Sequence, residues 1–191
     1  MLARRPRPGP RRRAVAFWGN LSFPVNRQAV DHFFRDVWRP YLADAGVAFV
    51  VIGPHAGADL HALAAAHPGF VLPGYVDDLF GYLDEIPVMV NPMVTGGGLK
   101  NKVLEAFAAS KAVVTTRLGV EAFPEVTAEH CRVVDRPAAM AEAVLSLLDD
   151  AETGRALGER ARELVERYYT WPAVGSAWSE LLMNLGGVQL R

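Results

Sequence analysis

Short apolar segments alternate with stretches of helical periodicity along most of the chain. Six segments are continuously apolar, as expected of strands buried on both faces, and they cover residues 14–18, 47–52, 70–72, 87–90, 112–115 and 130–134. Apolar residues at helical spacing predict helices over residues 26–44, 59–66, 77–84, about 99–109, 137–148, 151–168 and 172–185. Asp77 is predicted to cap the third of these helices.

This alternation is typical of an α/β fold in which helices cover both faces of a parallel sheet. The sequence therefore predicts a doubly wound, six-stranded, Rossmann-like parallel sheet with right-handed connections, followed by C-terminal helices. Sheets of this kind bind ligands beyond the carboxyl ends of their strands. The candidate site is therefore sought after the strands, in residues 19–26, 53–57, 74–78, 91–102 and 116–121.

The first thirteen of the 191 residues differ in composition from the rest. They hold six arginines, three prolines and no acidic residue, which predicts a basic disordered arm. The folded domain is expected over residues 14–186, with a short tail at 187–191. Outside the arm, 14 basic residues stand against 21 acidic ones, a net charge near −7, so a nucleic-acid-binding body is not expected. A solvated tail or the remnant of an interdomain linker fits the arm, and an anionic partner for it is an alternative.

No apolar run approaches the ~20 residues that span a bilayer, and the chain has one cysteine, Cys131. A lone thiol suits a reducing compartment, so a cytoplasmic protein is expected, with peripheral association at the inner face of the membrane left open. His55, His61 and His67 recur every six residues, which is not the spacing of a helical metal pair. We therefore expect no metal site and read these histidines as surface residues.

The most informative stretch follows the fourth predicted strand. It opens with three glycines at the start of a helix: Gly96, Gly97 and Gly98. Free N–H groups and the helix dipole favour an anion there, and Lys100 and Lys102 add positive charge. Glu105, further along the helix, is suited to accept hydrogen bonds from a ribose diol. The simpler alternative for the glycines and lysines is a plain turn followed by a solvated helix face. The simpler alternative for Glu105 is an exposed acidic residue on the helix.

Residues 96–121, which begin Gly-Gly-Gly-Leu-Lys-Asn-Lys-Val-Leu-Glu, resemble the donor motif of the large retaining glycosyltransferase family called group 1, or family 4 (GT4). The resemblance extends from Val15 to Leu182 and includes residues 17–20 with Asn26, 74–78, 91–92 and 169–171. It matches only the C-terminal half of the two-domain GT-B fold of that family.

By this resemblance the chain is the donor-binding domain of a retaining hexosyl- or other glycosyltransferase, with a nucleoside-diphosphate sugar as substrate and no metal or other cofactor. Lys100 and Glu105 are the residues implied in catalysis. The implied donor-binding residues are Gly19, Asn20, Tyr75, Val76, Asp77, Gly96, Gly97, Gly98, Lys100, Lys102, Glu105 and Glu121.

The resemblance also implies individual roles. Glu105 matches the second glutamate of a Glu-x7-Glu motif that holds the donor ribose, whereas Gly97 stands at the first. Lys100 is expected to be the main phosphate contact and Lys102 the second one. Gly19 and Asn20 would line the opposite side, and the backbone of residues 75–77 would hold the base. For Glu121 a structural role as a cap is an equal alternative.

After the first strand the chain departs from the family pattern, because Asn20 and Arg27 are present there but no lysine. In the family the acceptor is bound by the N-terminal domain, and the resemblance does not include that domain. We therefore expect exposed apolar surface near Trp171 and Trp178, covered by that domain, a partner chain or a homodimer.

Two other functions were weighed. A non-catalytic nucleotide-sugar-binding module that needs a separate acceptor-domain partner is the first alternative. A dinucleotide-dependent oxidoreductase is the second, but residues 19–22 lack the G-x-G-x-x-G pattern and Gly53-Pro54 replaces an acidic residue after the second strand. The acceptor, the base and the sugar stay open.

Overall fold

A parallel sheet runs through the middle of the molecule. The computed structural model describes residues 12–186, so most of the predicted arm and the tail at 187–191 lie outside the described residues. Within that range the strands are β1 (Ala14–Trp18), β2 (Ala48–Ile52), β3 (Phe70–Gly74), β4 (Val88–Asn91), β5 (Ala112–Thr115) and β6 (Arg132–Val133). Neighbouring strands pair in parallel in the order β3-β2-β1-β4-β5-β6.

Helices connect the strands on both faces and continue after the last one. They are α1 (Pro24–His32), α2 (Ala58–Ala66), α3 (Leu79–Tyr82), α4 (Asn101–Ala108), α5 (Arg117–Val120), α6 (Pro137–Asp149), α7 (Ala151–Tyr168) and α8 (Trp171–Gly186). A π-helix, Phe33–Leu42, continues α1, and a 3-10 turn, Leu83–Glu85, continues α3. This arrangement confirms the predicted doubly wound, Rossmann-like sheet.

The sheet separates two apolar cores because successive side chains of a strand point to opposite faces. In β1, Val15 and Phe17 belong to the core that includes residues of α1, the π-helix and α6. Ala16 and Trp18 belong to the other core, with residues of α4 and α7. Since both faces of the central strands are covered, polar groups that can meet a ligand are confined to the strand ends.

The helix predicted over residues 26–44 is not a uniform α-helix. Its second half is π-helical and contains Pro40, which has no N–H to donate to the carbonyl four residues earlier. The bonds widen instead to five residues, as in the 2.8 Å bond from the Ala43 amide to the Trp38 carbonyl. Helical spacing predicts an apolar stripe of Val30, Phe33, Phe34, Val37, Trp38 and Tyr41, and the first five of these residues are buried. Tyr41 is 47% exposed, and Leu42 is buried in its place.

Two helix starts differ from the sequence prediction. Asp78, not Asp77, caps α3, because its carboxylate accepts a 2.8 Å hydrogen bond from the Gly81 amide. The short helix α5 was not predicted; the Thr116 hydroxyl caps it by accepting from the Gly119 amide at 3.2 Å. In both places a polar residue next to the first helical residue satisfies an amide that would otherwise lack a partner.

The last predicted strand, over residues 130–134, shortens to β6, so Cys131 lies just before the strand and not within it. Cys131 is fully buried, and burial raises the pKa of its thiol to about 12. The thiol is therefore protonated at neutral pH and packs as a small apolar side chain.

The last two residues of the predicted arm are part of the folded body. The Arg12 amide donates to the Glu85 carbonyl at 2.8 Å. The Arg13 guanidinium donates to the Ala45 carbonyl at 3.2 Å and pairs with Asp149 at 2.5 Å. Both residues therefore contact the folded body directly before β1.

Helix α8 presents an exposed apolar surface, as expected. Trp171 is 84% exposed and Trp178 is 60% exposed. Other exposed apolar residues on the same helix are Val174, Leu181, Leu182 and Met183. Across residues 12–186, no helix combines the length and the apolar character needed to cross a membrane.

Gly158 in α7 is predicted to be indispensable for packing. A Cβ there would lie 2.2 Å from the Ser110 carbonyl oxygen, so Gly158→Ala should lower the free energy of unfolding by about 1–3 kcal/mol despite the better helix propensity of alanine. Gly175→Ala in α8 is the matched control, since a Cβ there has no neighbour within 4 Å. Urea unfolding checks both variants, and equal effects would contradict this account of α7 packing.

Candidate functional site

The strand order reverses between β1 and β4, which is where a crevice opens in a sheet of this type. From β1 the chain proceeds to β2 and β3 on one side, whereas β4, β5 and β6 lie on the other side. The segments after β1 and β4 therefore leave adjacent strand ends, but lead to α1 on one face and α4 on the other. Both segments were predicted to contribute to the site.

The glycine-rich loop after β4 lies against the first turns of α1. Gly96 and Gly98 have φ angles of +91° and +76°, a backbone region that suits glycine. A Cβ at Gly96 would lie 3.0 Å from Val25 Cγ1, and the Thr95 hydroxyl donates to Gln28 Oε1 at 2.5 Å. Residues 94–99 are nevertheless exposed, so a ligand can reach the loop.

Lys100 is turned back into this loop. Its ammonium donates to the carbonyl oxygens of Gly96 at 2.9 Å and Gly98 at 3.0 Å, and the residue is only 7% exposed. The lysine occupies the N-cap position of α4 without a side-chain capping bond. Its positive charge thus stabilises two inward-facing carbonyls of the loop.

Lys102 reaches across the crevice to α1. Its ammonium donates to Asn26 Oδ1 at 2.6 Å and lies 4.0 Å from the centroid of the Phe17 ring. Burial lowers the pKa of Lys102 to about 8; the negative charge of Glu105 opposes this shift, and the positive charge of Lys100 adds to it. Lys102 is therefore a largely desolvated cation that titrates near neutral pH.

Asn26 and Gly19 hold the other side of this contact. The Asn26 amide group donates to the Asn20 carbonyl oxygen at 2.8 Å. A Cβ at Gly19 would lie 2.8 Å from Asn26 Nδ2 and 3.3 Å from Lys102 Nζ, so a side chain at position 19 would displace the contact. The structure thus brings Gly19 and Asn20 to the contact between Asn26 and Lys102.

Glu105 lies about one helical turn beyond Lys102. Its Oε2 accepts a 2.7 Å hydrogen bond from the Trp18 indole, whereas Oε1 has no partner among the described residues. Glu105 also borders a cleft of about 640 Å³ that α4 forms with the end of α7 and the start of α8. One carboxylate oxygen is therefore fixed, and the other is available to a ligand.

The remaining predicted residues lie further out. Tyr75, after β3, is 71% exposed, and Asp77 is exposed as well. Val76 packs against the core that contains Trp18, so residues 75–77 border the same face as Glu105. Glu121 is exposed directly after α5 and makes no hydrogen bond or ion pair with the described residues. Thr116 is the N-cap of that helix, and Glu121 occupies its C-cap position.

Sequence reasoning missed the roles of Asn26 and Trp18. A tryptophan N–H at a strand end needs a hydrogen-bond acceptor once buried, which was the available signal for Trp18. Arg27, the cation noted after the first strand, is engaged with Asp59 and Asp31. Its hydrogen bond with Asp59 is the main cause that raises the pKa of Arg27.

The comparison with protein families now decides the identity of the fold. Residues 12–150 match the family described as glycosyl transferases group 1. The chain belongs to this family. No curated protein matches it in sequence.

Several solved structures have a similar fold. A variant of S. aureus TarM in complex with UDP, fondaparinux and α-GlcNAc-glycerol has a TM-score of 0.75 and 17% identity, over 95% of this chain and 37% of TarM. Anabaena HepE in complex with UDP-glucose has a TM-score of 0.66 and 12% identity, over 90% of this chain and 48% of HepE. The C-terminal domain of Francisella tularensis LpcC has a TM-score of 0.60 and 18% identity, over 85% of this chain and 88% of that domain.

These matches confirm the predicted half of a GT-B fold. This group 1 chain spans about 37% of TarM and 48% of HepE, but most of the isolated C-terminal domain of LpcC. At such identities the likeness concerns the fold alone.

The low pKa of Lys102 predicts a pH-dependent stability. Because its pKa is about 8 in the fold and about 10.4 in an unfolded chain, the unfolded state binds more protons between these values, and stability rises with pH there. Relative to Lys102→Met, the wild type should gain about 2 kcal/mol in free energy of unfolding between pH 7 and pH 10. Urea unfolding of both proteins at the two pH values measures this, and a constant difference would contradict the burial of the charge.

Proposed function

We propose that this group 1 chain is the donor-binding half of a retaining glycosyltransferase that takes a sugar from a nucleoside-diphosphate sugar. The observation that carries the proposal is the convergence of Lys100, Lys102 and the glycine-rich loop at the start of α4, with the Glu105 carboxylate one turn further on. A helix start with nearby cations favours a diphosphate, and a carboxylate with one free oxygen suits a ribose diol. The complexes of HepE with UDP-glucose and of TarM with UDP support this class of donor.

In this proposal each part of the donor has its own contacts. The diphosphate lies between residues 96–98 and the segment after β1, within reach of the lysines. Glu105 Oε1 accepts from the ribose, while Trp18 keeps the carboxylate in place. The base lies beside the backbone of residues 75–77, on the face that Val76 and Trp18 share.

The chemical step asks this half of the enzyme to stabilise a leaving group. As the bond between the anomeric carbon and the diphosphate breaks, negative charge grows on the phosphate oxygens. Fixed N–H groups and ammonium groups aimed at such a charge typically contribute about 3–4 kcal/mol each to the transition state. We propose that an ammonium group of the crevice and the N–H groups at the start of α4 supply this stabilisation without a metal ion. In the described residues, no group of three or more His, Cys, Asp or Glu side chains is arranged to hold one.

The acceptor would bind to a second structural half. The exposed apolar side chains of α8 offer a surface that an N-terminal acceptor domain, a partner chain or a second copy would cover. In the alternative of a binding module without activity, the donor site is used but no transfer occurs with this chain alone.

A nucleotide panel tests the donor site. Calorimetry with UDP, GDP and ADP at pH 7 should detect saturable binding of one nucleotide, and Glu105→Gln should weaken it at least about tenfold, or roughly 1.4 kcal/mol, because the ribose loses a charged acceptor. Gln keeps one oxygen for Trp18, and its NH2 group replaces the other oxygen, so the ribose loses both the charge and the acceptor.

Glu142→Gln is the matched control, because Glu142 is an exposed glutamate on α6 and its variant should bind as the wild type does. A folded wild type that binds no nucleotide would contradict the proposed donor site. Equal affinity of the wild type and Glu105→Gln would remove Glu105 from that site.

A further inference from the structure

The two lysines of the crevice use their ammonium groups differently. An ammonium has three N–H donors. Lys100 donates two hydrogen bonds, to the carbonyl oxygens of Gly96 and Gly98, and is 7% exposed. Lys102 donates one hydrogen bond, to Asn26, lies against the Phe17 ring and is more exposed than Lys100, so at least one of its donors remains for a ligand. The charge of Lys100 is thus engaged by the loop, whereas that of Lys102 is only partly engaged.

Asn26 has a fixed orientation towards Lys102. Its Nδ2 donates to the Asn20 carbonyl oxygen at 2.8 Å, and an amide nitrogen is a donor only. Oδ1 must therefore face the other way, where it accepts the Lys102 ammonium at 2.6 Å. Asn26 is 9% exposed at the first turns of α1, so its backbone is anchored independently of α4.

We propose that Lys102 is the cation that contacts the donor diphosphate, that Asn26 is the positioning residue that holds it in the crevice, and that Lys100 acts by shaping the loop. This rests on the proposed donor site and assigns separate tasks to residues that the sequence placed together. Lys102 lies where β1 and β4 diverge, between the α1 and α4 sides of the crevice. A ligand that approaches the loop meets its unused donors.

The charges around Lys102 make it sensitive to an anion. Glu105 and Lys100, both from its own segment, are the charged groups whose fields reach it. Helix α1 faces it with the neutral amide of Asn26, and β1 with the ring of Phe17. Burial lowers the pKa of Lys102 to about 8, and a diphosphate beside it would supply the missing counter-charge and raise that pKa. Donor affinity should therefore fall as the free protein loses this proton.

A pH profile separates this assignment from a structural role. We would measure binding of UDP, GDP and ADP by calorimetry between pH 7 and pH 9 for the wild type, Lys102→Arg, Lys102→Met, Lys100→Met and Asn26→Asp. For the wild type, affinity should fall about fivefold to tenfold from pH 7 to pH 9. Lys102→Arg should keep its pH 7 affinity at pH 9, because a guanidinium stays charged. Any change in affinity that comes from titration of the ligand occurs in this variant too, so the comparison with the wild type removes it.

The other variants complete the test. Lys102→Met should bind weakly with no loss between pH 7 and pH 9 beyond that of Lys102→Arg. Asn26→Asp should bind less tightly at pH 7 and shift the fall to higher pH, because a carboxylate beside Lys102 raises its pKa while repelling the diphosphate. Lys100→Met should weaken binding but leave the fall near pH 8 in place. Circular dichroism confirms that each variant is folded.

The outcomes distinguish a wrong assignment of Lys102 from a wrong donor site. If the wild type binds a nucleotide at pH 7 but shows the same profile as Lys102→Arg, the donor site stands and the assignment to Lys102 is wrong. If Lys100→Met rather than Lys102→Met abolishes the pH dependence, the roles of the two lysines are reversed. If no nucleotide binds to the folded wild type, the donor site itself fails, and this assignment fails with it.

Discussion

Strands β1 and β4 are neighbours in the sheet, yet the chain leaves them towards opposite faces, and the candidate site depends on this divergence. Both faces of the sheet are filled by apolar side chains, so only the strand ends can offer polar groups. The segments that follow these two adjacent strands bend apart, towards α1 on one face and α4 on the other. The hydrogen bond from Lys102 to Asn26 joins the two sides over the gap, and Gly19 leaves room for it. The same divergence exposes the glycine-rich loop and the start of α4 to a common ligand.

The chain uses lysine and arginine for different purposes. Its three lysines, Lys100, Lys102 and Lys111, are all buried or half-buried and donate to oxygen atoms inside the fold. Arginines form pairs nearer the surface, such as Arg155 with Glu159. A buried ammonium costs stability unless its donors are satisfied. Of the two crevice lysines, Lys102 makes the fewer hydrogen bonds, one against two for Lys100.

The strands and most helices could be predicted because their signals are local. Continuous runs such as Ala-Phe-Val-Val-Ile in β2 reveal burial on both faces. The bounds of α7 were predicted to the residue. In the structure Asp150 caps this helix by accepting a hydrogen bond from the Thr153 amide. The π-helix could not be predicted from so short an apolar pattern. Its wider turn buries Leu42, whereas α-helical spacing selected Tyr41, which is 47% exposed. The choice between Asp77 and Asp78 as the N-cap depends on the residue at which α3 begins, and the apolar spacing does not determine that residue.

For the candidate site, the sequence predicts which residues lie close together only where they belong to the same segment. The glycine loop, Lys100, Lys102 and Glu105 occur within one stretch, so their proximity was evident. Lys102 and Asn26 are 76 residues apart, and Trp18 and Glu105 are 87 apart. Such pairs arise from the strand order, and only the fold reveals them.

The central claim is that a donor diphosphate lies where β1 and β4 diverge, and amide chemical-shift mapping by NMR during titration with UDP, GDP or ADP tests it most directly. The account predicts saturable shifts concentrated in residues 19–26 and 95–105; shifts confined to other parts of the fold would contradict it.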